Sequence, residues 1–106
     1  MTDWRVPLTD VILGSEEIDA VSAVLQSGWL SMGPVTRRFE EECARFLGVP
    51  HTLAVANGTA ALHLACAALG LGPGDEVLCP ALTFVATANA ILYTGAGPVF
   101  VDIGGP

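Results

Sequence analysis

Lysine is missing altogether: the positive charge of the 106 residues sits on Arg5, Arg37, Arg38 and Arg45 alone. Against 11 acidic residues this leaves a formal net charge of −7. Nucleic acids and anionic membrane surfaces are held by basic side chains, so neither is an expected partner. Long apolar runs are missing too. No stretch of about 20 residues escapes interruption by Gly, Pro or a polar side chain, so no membrane-spanning helix is expected. The opening Met1-Thr2-Asp3-Trp4-Arg5 lacks the basic-then-apolar layout of an export signal, and the cytoplasm is the expected location. Paired cysteines are absent as well. Cys43, Cys66 and Cys79 are far apart, lie in apolar segments and lack metal-ligand spacing. They read as small buried hydrophobes in a reducing compartment, and no metal site is expected. The glycosylation pattern Asn57-Gly58-Thr59 is read as coincidence for want of an export signal.

What is present is apolar for so short a chain: 52% hydrophobic residues against 14% charged. Small domains expose much of their surface, so the balance predicts faces covered by further protein or by a partner subunit. After the apolar lead-in Val6–Leu13 and Gly14, Ser15 is expected to cap a helix with Glu16, Glu17 and Asp19 in its first turn. Ile18, Val21 and Leu25 give it a buried face, and Gly28 ends it. Gly28 to Gly33 is a loop too apolar to be idle in water. Pro34 opens a second helix with the stripe Phe39, Cys43, Phe46 and Leu47. Its other face offers the pairs Arg37/Glu41, Arg38/Glu42 and Glu41/Arg45, and the run Glu40–Glu42 reads as solvated. Then the pattern alternates. Thr52–Ala56 reads as a buried strand, Thr59–Leu69 as an apolar helix and Glu76–Cys79 as a strand. Thr83–Thr94 follows as a helix and Val99–Ile103 as a strand. Uniformly apolar strands alternating with helices predict an α/β protein with a largely parallel sheet covered on both faces. The sequence stops at Gly104-Gly105-Pro106, directly after a core strand, which reads as truncation.

Between the strand at 52–56 and its helix stands Asn57-Gly58-Thr59-Ala60. The first N–H groups of a helix lack internal acceptors and carry partial positive charge, so this turn suits a phosphate. It equally suits an ordinary capped turn in which Asn or Thr satisfies the helix end. The glycines of Gly70-x-Gly72-Pro73-Gly74 end a helix and precede a strand, the reverse of a dinucleotide fingerprint, and that reading is rejected. Phe84 follows the second strand, where ligands collect in such sheets, and is either a cofactor-stacking ring or a core aromatic. Asn89 faces a substrate or bonds to neighbouring backbone. His63, on the apolar helix, reads as structural, and no hydrolase triad is legible.

Five segments in order carry a resemblance: Gly28–Pro34 (GWLSMGP), Asn57–Leu64 (NGTAALHL), Leu71–Val77 (LGPGDEV), Pro80–Ile91 (PALTFVATANAI) and Gly95–Asp102 (GAGPVFVD). Together they resemble the start of a DegT/DnrJ/StrS-type sugar aminotransferase. The resemblance implies the start of the large domain of PLP fold type I, a three-layer α/β/α arrangement with a mainly parallel sheet. Residues 1–33 would form an N-terminal helix and active-site loop, and 34–106 the first part of the PLP-binding domain. It further implies pyridoxal 5′-phosphate (PLP) as cofactor, a nucleotide-linked keto-sugar as substrate, glutamate or glutamine as amino donor, and a homodimer with sites at the subunit interface. On this resemblance Gly58, Thr59 and Ala60 hold the cofactor phosphate and Phe84 stacks on its ring. Ser31, Gly33 and Asn89 border the substrate. The lysine that bonds the cofactor and the acid that pairs with its ring nitrogen lie farther along in such enzymes. Residues 1–106 therefore hold no catalytic residue and are expected to be inactive alone. A sugar dehydratase of the same family and a non-catalytic module for phosphorylated ligands are the alternatives.

Overall fold

The computed structural model describes residues 9–104. Val6, Pro7 and Leu8 of the expected lead-in lie outside the described residues. The order is α1 (Ser15–Ser27), α2 (Pro34–Leu47), α3 (Gly58–Ala68), β1 (Glu76–Pro80), α4 (Ala86–Leu92) and β2 (Gly97–Val101). Two compact units divide the chain between Ala54 and Val55.

In the first unit, α1 begins one residue earlier in its capping than expected. Gly14, not Ser15, is the cap residue, because Glu17 reaches back and accepts the Gly14 N–H at 2.7 Å. This is one half of a capping box, and it leaves Ser15 as the first helical residue. Pro34 occupies the first turn of α2, as expected. Gly28 and Gly48 end the two helices with φ of 72° and 68°, a left-handed backbone that side chains resist. Of the three charge pairs expected on α2, Arg38–Glu42 closes at 2.8 Å. The hydrogen bond from Arg38, and then its charge, hold the exposed Glu42 carboxyl below its usual range.

The apolar segment 52–56 is not a strand, and it is not buried: Leu53 is 70% exposed. A strand exists only where another strand accepts its ladder hydrogen bonds. Here helix α2 supplies the partners instead, and both are on Glu40. Thr52 Oγ1 donates to the Glu40 carbonyl at 2.6 Å, and the Ala54 N–H donates to Glu40 Oε1 at 2.8 Å. Glu40 thus departs from the solvated face expected of residues 40–42.

The second unit contains the sheet. Strands β1 and β2 pair in parallel from Glu76↔Gly97 to Pro80↔Val101, joined by α4. The turn into β1 is fixed reciprocally: Asp75 accepts the Gly72 N–H at 2.9 Å, and the Asp75 N–H donates to the Gly72 carbonyl at 3.1 Å. Helix α4 is shorter than the expected 83–94, spanning Ala86–Leu92. Cys79, Ile91 and Ala96 form the core, with Cys66, Leu71, Val77 and Ala88 against it. Cys79 is therefore the buried hydrophobe expected, while Cys43 and Cys66 are half-buried thiols. No helix among the described residues is long and apolar enough to cross a membrane.

Large apolar side chains stay open in both units, with Phe46 at 90%, Ile12 at 91% and Leu82 at 89% exposure. Residues 1–106 expressed alone are expected to bind a hydrophobic dye strongly and to melt without a cooperative transition. A soluble monomer with a sharp calorimetric melt would contradict this.

Candidate functional site

Asn57 stands in extended conformation before α3, and its Oδ1 accepts the Ala60 N–H at 2.9 Å. The Asn57 carbonyl takes the Ala61 N–H at 3.1 Å, so the helical ladder begins there. The two N–H groups in between, of Gly58 and Thr59, have no acceptor within the helix and lie at its positive end. A methyl group built on Gly58 would meet no heavy atom within 4 Å, so this end of the helix is open to approach.

Beside it is a hollow of about 600 Å³ lined by Asn57, Gly58, Thr59, Leu62, Phe84 and Ala86, among others. Phe84 is 75% exposed, which leaves ring surface free to meet a planar ligand. The hollow thus brings together two of the three residues expected at a phosphate and the residue expected at a ring. Ala60 is different: its N–H is committed to Asn57, and it does not line the hollow. Asn89, half-buried on α4, does not line it either. A phosphate at free N–H groups and an aromatic ring against Phe84 and apolar walls match the donors present. The residues fit PLP.

The first unit has a hollow of its own, about 610 Å³, lined by Val24, Trp29, Leu30, Ser31, Gly33 and Val35, among others. Ser27 Oγ donates to the Val24 carbonyl at 2.7 Å and accepts the Trp29 N–H at 3.2 Å, joining the loop to the end of α1. The Trp29 indole folds back over Gly33, and its Nε1 donates to the Met32 carbonyl at 3.2 Å. Gly33 is buried beneath the ring, where an added Cβ would lie 2.6 Å from Trp29 Cδ1. This contact escaped the sequence reading. The signal for it was an indole four residues before a glycine, within a loop otherwise too apolar for solvent.

His63 is half-buried and meets Tyr93 edge to face, with centroids 5.4 Å apart and planes at 67°, in keeping with a structural role. No group of three or more metal-ligating side chains occurs among the described residues.

Comparison with known proteins decides what this arrangement belongs to. Residues 11–106 match the sequence pattern of the DegT/DnrJ/EryC1/StrS aminotransferases. The chain belongs to that family. It is 53% identical over 98 residues to SpsC of Bacillus subtilis (strain 168), a spore coat polysaccharide biosynthesis protein, covering 92% of this chain and 25% of SpsC. Spr1654 from Streptococcus pneumoniae, solved in its PLP form, superimposes with a TM-score of 0.87 at 38% identity, over 95% of this chain and 26% of that one. The aminotransferase TlmJ from Streptoalloteichus hindustanus gives 0.79 at 47% identity, over 87% of this chain and 26% of its own. The fold of this family member is a small α/β part of the PLP fold type I large domain with a parallel sheet, and Spr1654, which it resembles, is solved in a PLP form. The chain spans about a quarter of the length of the relatives it matches.

Proposed function

We propose that this chain is the opening part of a PLP-dependent aminotransferase that passes an amino group from glutamate or glutamine to a nucleotide-linked keto-sugar. The observation that carries the reading is the hollow where the open N-terminus of α3 and the exposed ring of Phe84 line one wall system in a member of this family. Gly58 and Thr59 bind the phosphate through their N–H groups, and the Thr59 hydroxyl adds a donor. Asn57 keeps the first turn of α3 wound while that load is applied, and Ala60 serves by its place in the turn. Phe84 covers one face of the ring and excludes water from it. PLP, when bound, supplies the electron-accepting ring on which the amino group is carried between donor and acceptor. Ser31 and Gly33 of the apolar loop, and Asn89 on α4, are assigned to the sugar nucleotide on the family resemblance alone.

Because residues 1–106 hold no lysine, covalent attachment of the cofactor and movement of its proton fall to residues outside this segment. The segment alone is inactive. The same reading makes 1–33 the active-site arm and 34–106 the start of the large domain. It also makes the enzyme a cytoplasmic homodimer, whose other subunit and remaining chain cover the exposed apolar faces. The likeness to SpsC supports a place in polysaccharide synthesis.

The test is to incubate the full-length enzyme with ¹⁵N-labelled glutamate or glutamine and a nucleotide-linked keto-sugar, followed by mass spectrometry of the sugar. A labelled amino sugar is expected. Loss of a hydroxyl without gain of nitrogen would instead identify a dehydratase, and an unchanged sugar with every donor would overturn both.

A further inference from the structure

Phe84 sits on a short stretch of chain that is fastened on both sides of it, all inside the second unit. Three residues earlier, the Ala81 N–H donates to the Val101 carbonyl at 3.0 Å, at the end of β2. Three residues later, the Thr87 N–H donates to the carbonyl of Phe84 itself at 3.0 Å. Between these main-chain bonds lies a side-chain bond. Thr83 Oγ1 and Thr87 Oγ1 stand 3.0 Å apart, and either hydroxyl can donate. Thr87 therefore holds this stretch twice, by its N–H at the Phe84 carbonyl and by its hydroxyl at the residue just before the ring.

The hydroxyl pair departs from what a Thr before a helix ordinarily does, which is to accept one of the first main-chain N–H groups. Helix α4 has no such side-chain cap. Val85 stands at the cap position, and Thr83, two residues earlier, meets the hydroxyl of the second helical residue instead. The bond spans Phe84, Val85 and Ala86 and closes the chain into a loop that carries the ring. Phe84 is 75% exposed, so neighbouring side chains do little to fix its direction. An exposed ring takes its direction from its own backbone, because the χ1 wells open to it depend on φ and ψ. We propose that Thr83 and Thr87 are positioning residues for the cofactor ring: their hydroxyl pair fixes the backbone of Phe84, and through it the plane that Phe84 offers to the ligand. The inference rests on the ring-stacking reading of Phe84 given above.

A double-mutant cycle through Phe84 separates this role from a general contribution to folding. In the full-length enzyme, the Kd of pyridoxamine 5′-phosphate is measured by equilibrium dialysis, with the circular dichroism induced in the bound ring as a second readout. Thr87→Val removes the hydroxyl and keeps the branched Cβ, so α4 is little disturbed. It is expected to raise the Kd about threefold and to weaken the induced dichroism. Thr83→Val is expected to do the same, and the two together no more than either alone, since they break one bond. Thr87→Ser keeps the hydroxyl, so its affinity stays within about 1.5-fold of the parent. Phe84→Leu raises the Kd about tenfold. In that background Thr87→Val has no further effect, because the ring through which it acts is gone.

The same loss with Thr87→Val in both backgrounds overturns the proposal, and so does no loss in either while Phe84→Leu weakens binding. Both outcomes leave the stacking reading intact. Should Thr87→Val not accumulate in folded form, Thr83→Val decides through the same cycle, and an unchanged Kd there overturns the proposal. An unchanged Kd with Phe84→Leu would instead mean that Phe84 does not meet the cofactor ring, and the reading beneath the proposal falls with it.

Discussion

Thr59→Asp in the full-length enzyme is expected to weaken pyridoxamine 5′-phosphate binding at least about 100-fold, while leaving α3 no less stable. The two effects have opposite signs at one position, which makes the variant informative. Thr59 is the second residue of α3, where the helix end carries partial positive charge. A carboxylate there is favourable to the helix by about 0.3–1 kcal/mol. The same carboxylate occupies the N–H groups that would otherwise meet the phosphate and sets a like charge against it, a juxtaposition that costs several kcal/mol. A 100-fold loss corresponds to about 2.7 kcal/mol. Pyridoxamine, lacking the phosphate, should lose less than about threefold. Affinity for the phosphorylated ligand within threefold of the parent would move the phosphate away from Gly58 and Thr59.

The second large effect is expected at Gly33. Its backbone is extended, with φ of −162°, so any residue could adopt the conformation. Space is the obstacle: a Cβ would lie 2.6 Å from Trp29 Cδ1 and 2.9 Å from Cε2. Gly33→Ala must therefore displace the indole and, with it, the bond from Trp29 Nε1 to the Met32 carbonyl. Overpacking of this kind costs about 1–3 kcal/mol. It should appear as faster amide exchange across residues 29–33 and as a KM for the sugar nucleotide raised more than kcat is lowered. Trp29→Ala removes the clash, so the double variant should recover at least about 1 kcal/mol relative to additivity. A coupling energy near zero would mean that the ring does not hold the loop.

The parts of the fold legible in the sequence are those whose signal is local. The stops of α1 and α2 are written in Gly28 and Gly48, the start of α2 in Pro34, and the β1 turn in Pro73-Gly74, all within a few residues of where they act, whereas the cap of α1 falls on Gly14 and not on the expected Ser15. Segment 52–56 misleads because its apolar composition speaks for burial, whereas strand character depends on a partner that no local pattern names. Glu40 misleads in the opposite direction. A Glu in a run of three on an amphipathic helix has every local reason to be solvated, and only the return of the chain at Thr52 and Ala54 recruits it. At the site, Gly58, Thr59 and Phe84 share one hollow because β1 and α3 carry them there. Ala60 fails to join them because Asn57, legible as a cap, uses its N–H.

The parallel pairing of β1 and β2 also sets a timetable for synthesis. Glu76 pairs with Gly97, 21 residues later, and no earlier segment offers β1 a neighbour among the described residues. At typical ribosomal rates of about 5–20 residues per second, β1 waits on the order of one to four seconds after emerging before β2 can join it. During that interval its backbone edge is bare and Cys79 is without Ala96, while α3, capped from within its own turn, is already able to wind. The nascent chain is thus most open to chaperones, and to mispairing with a neighbouring polysome product, in the window between Pro80 and Val101.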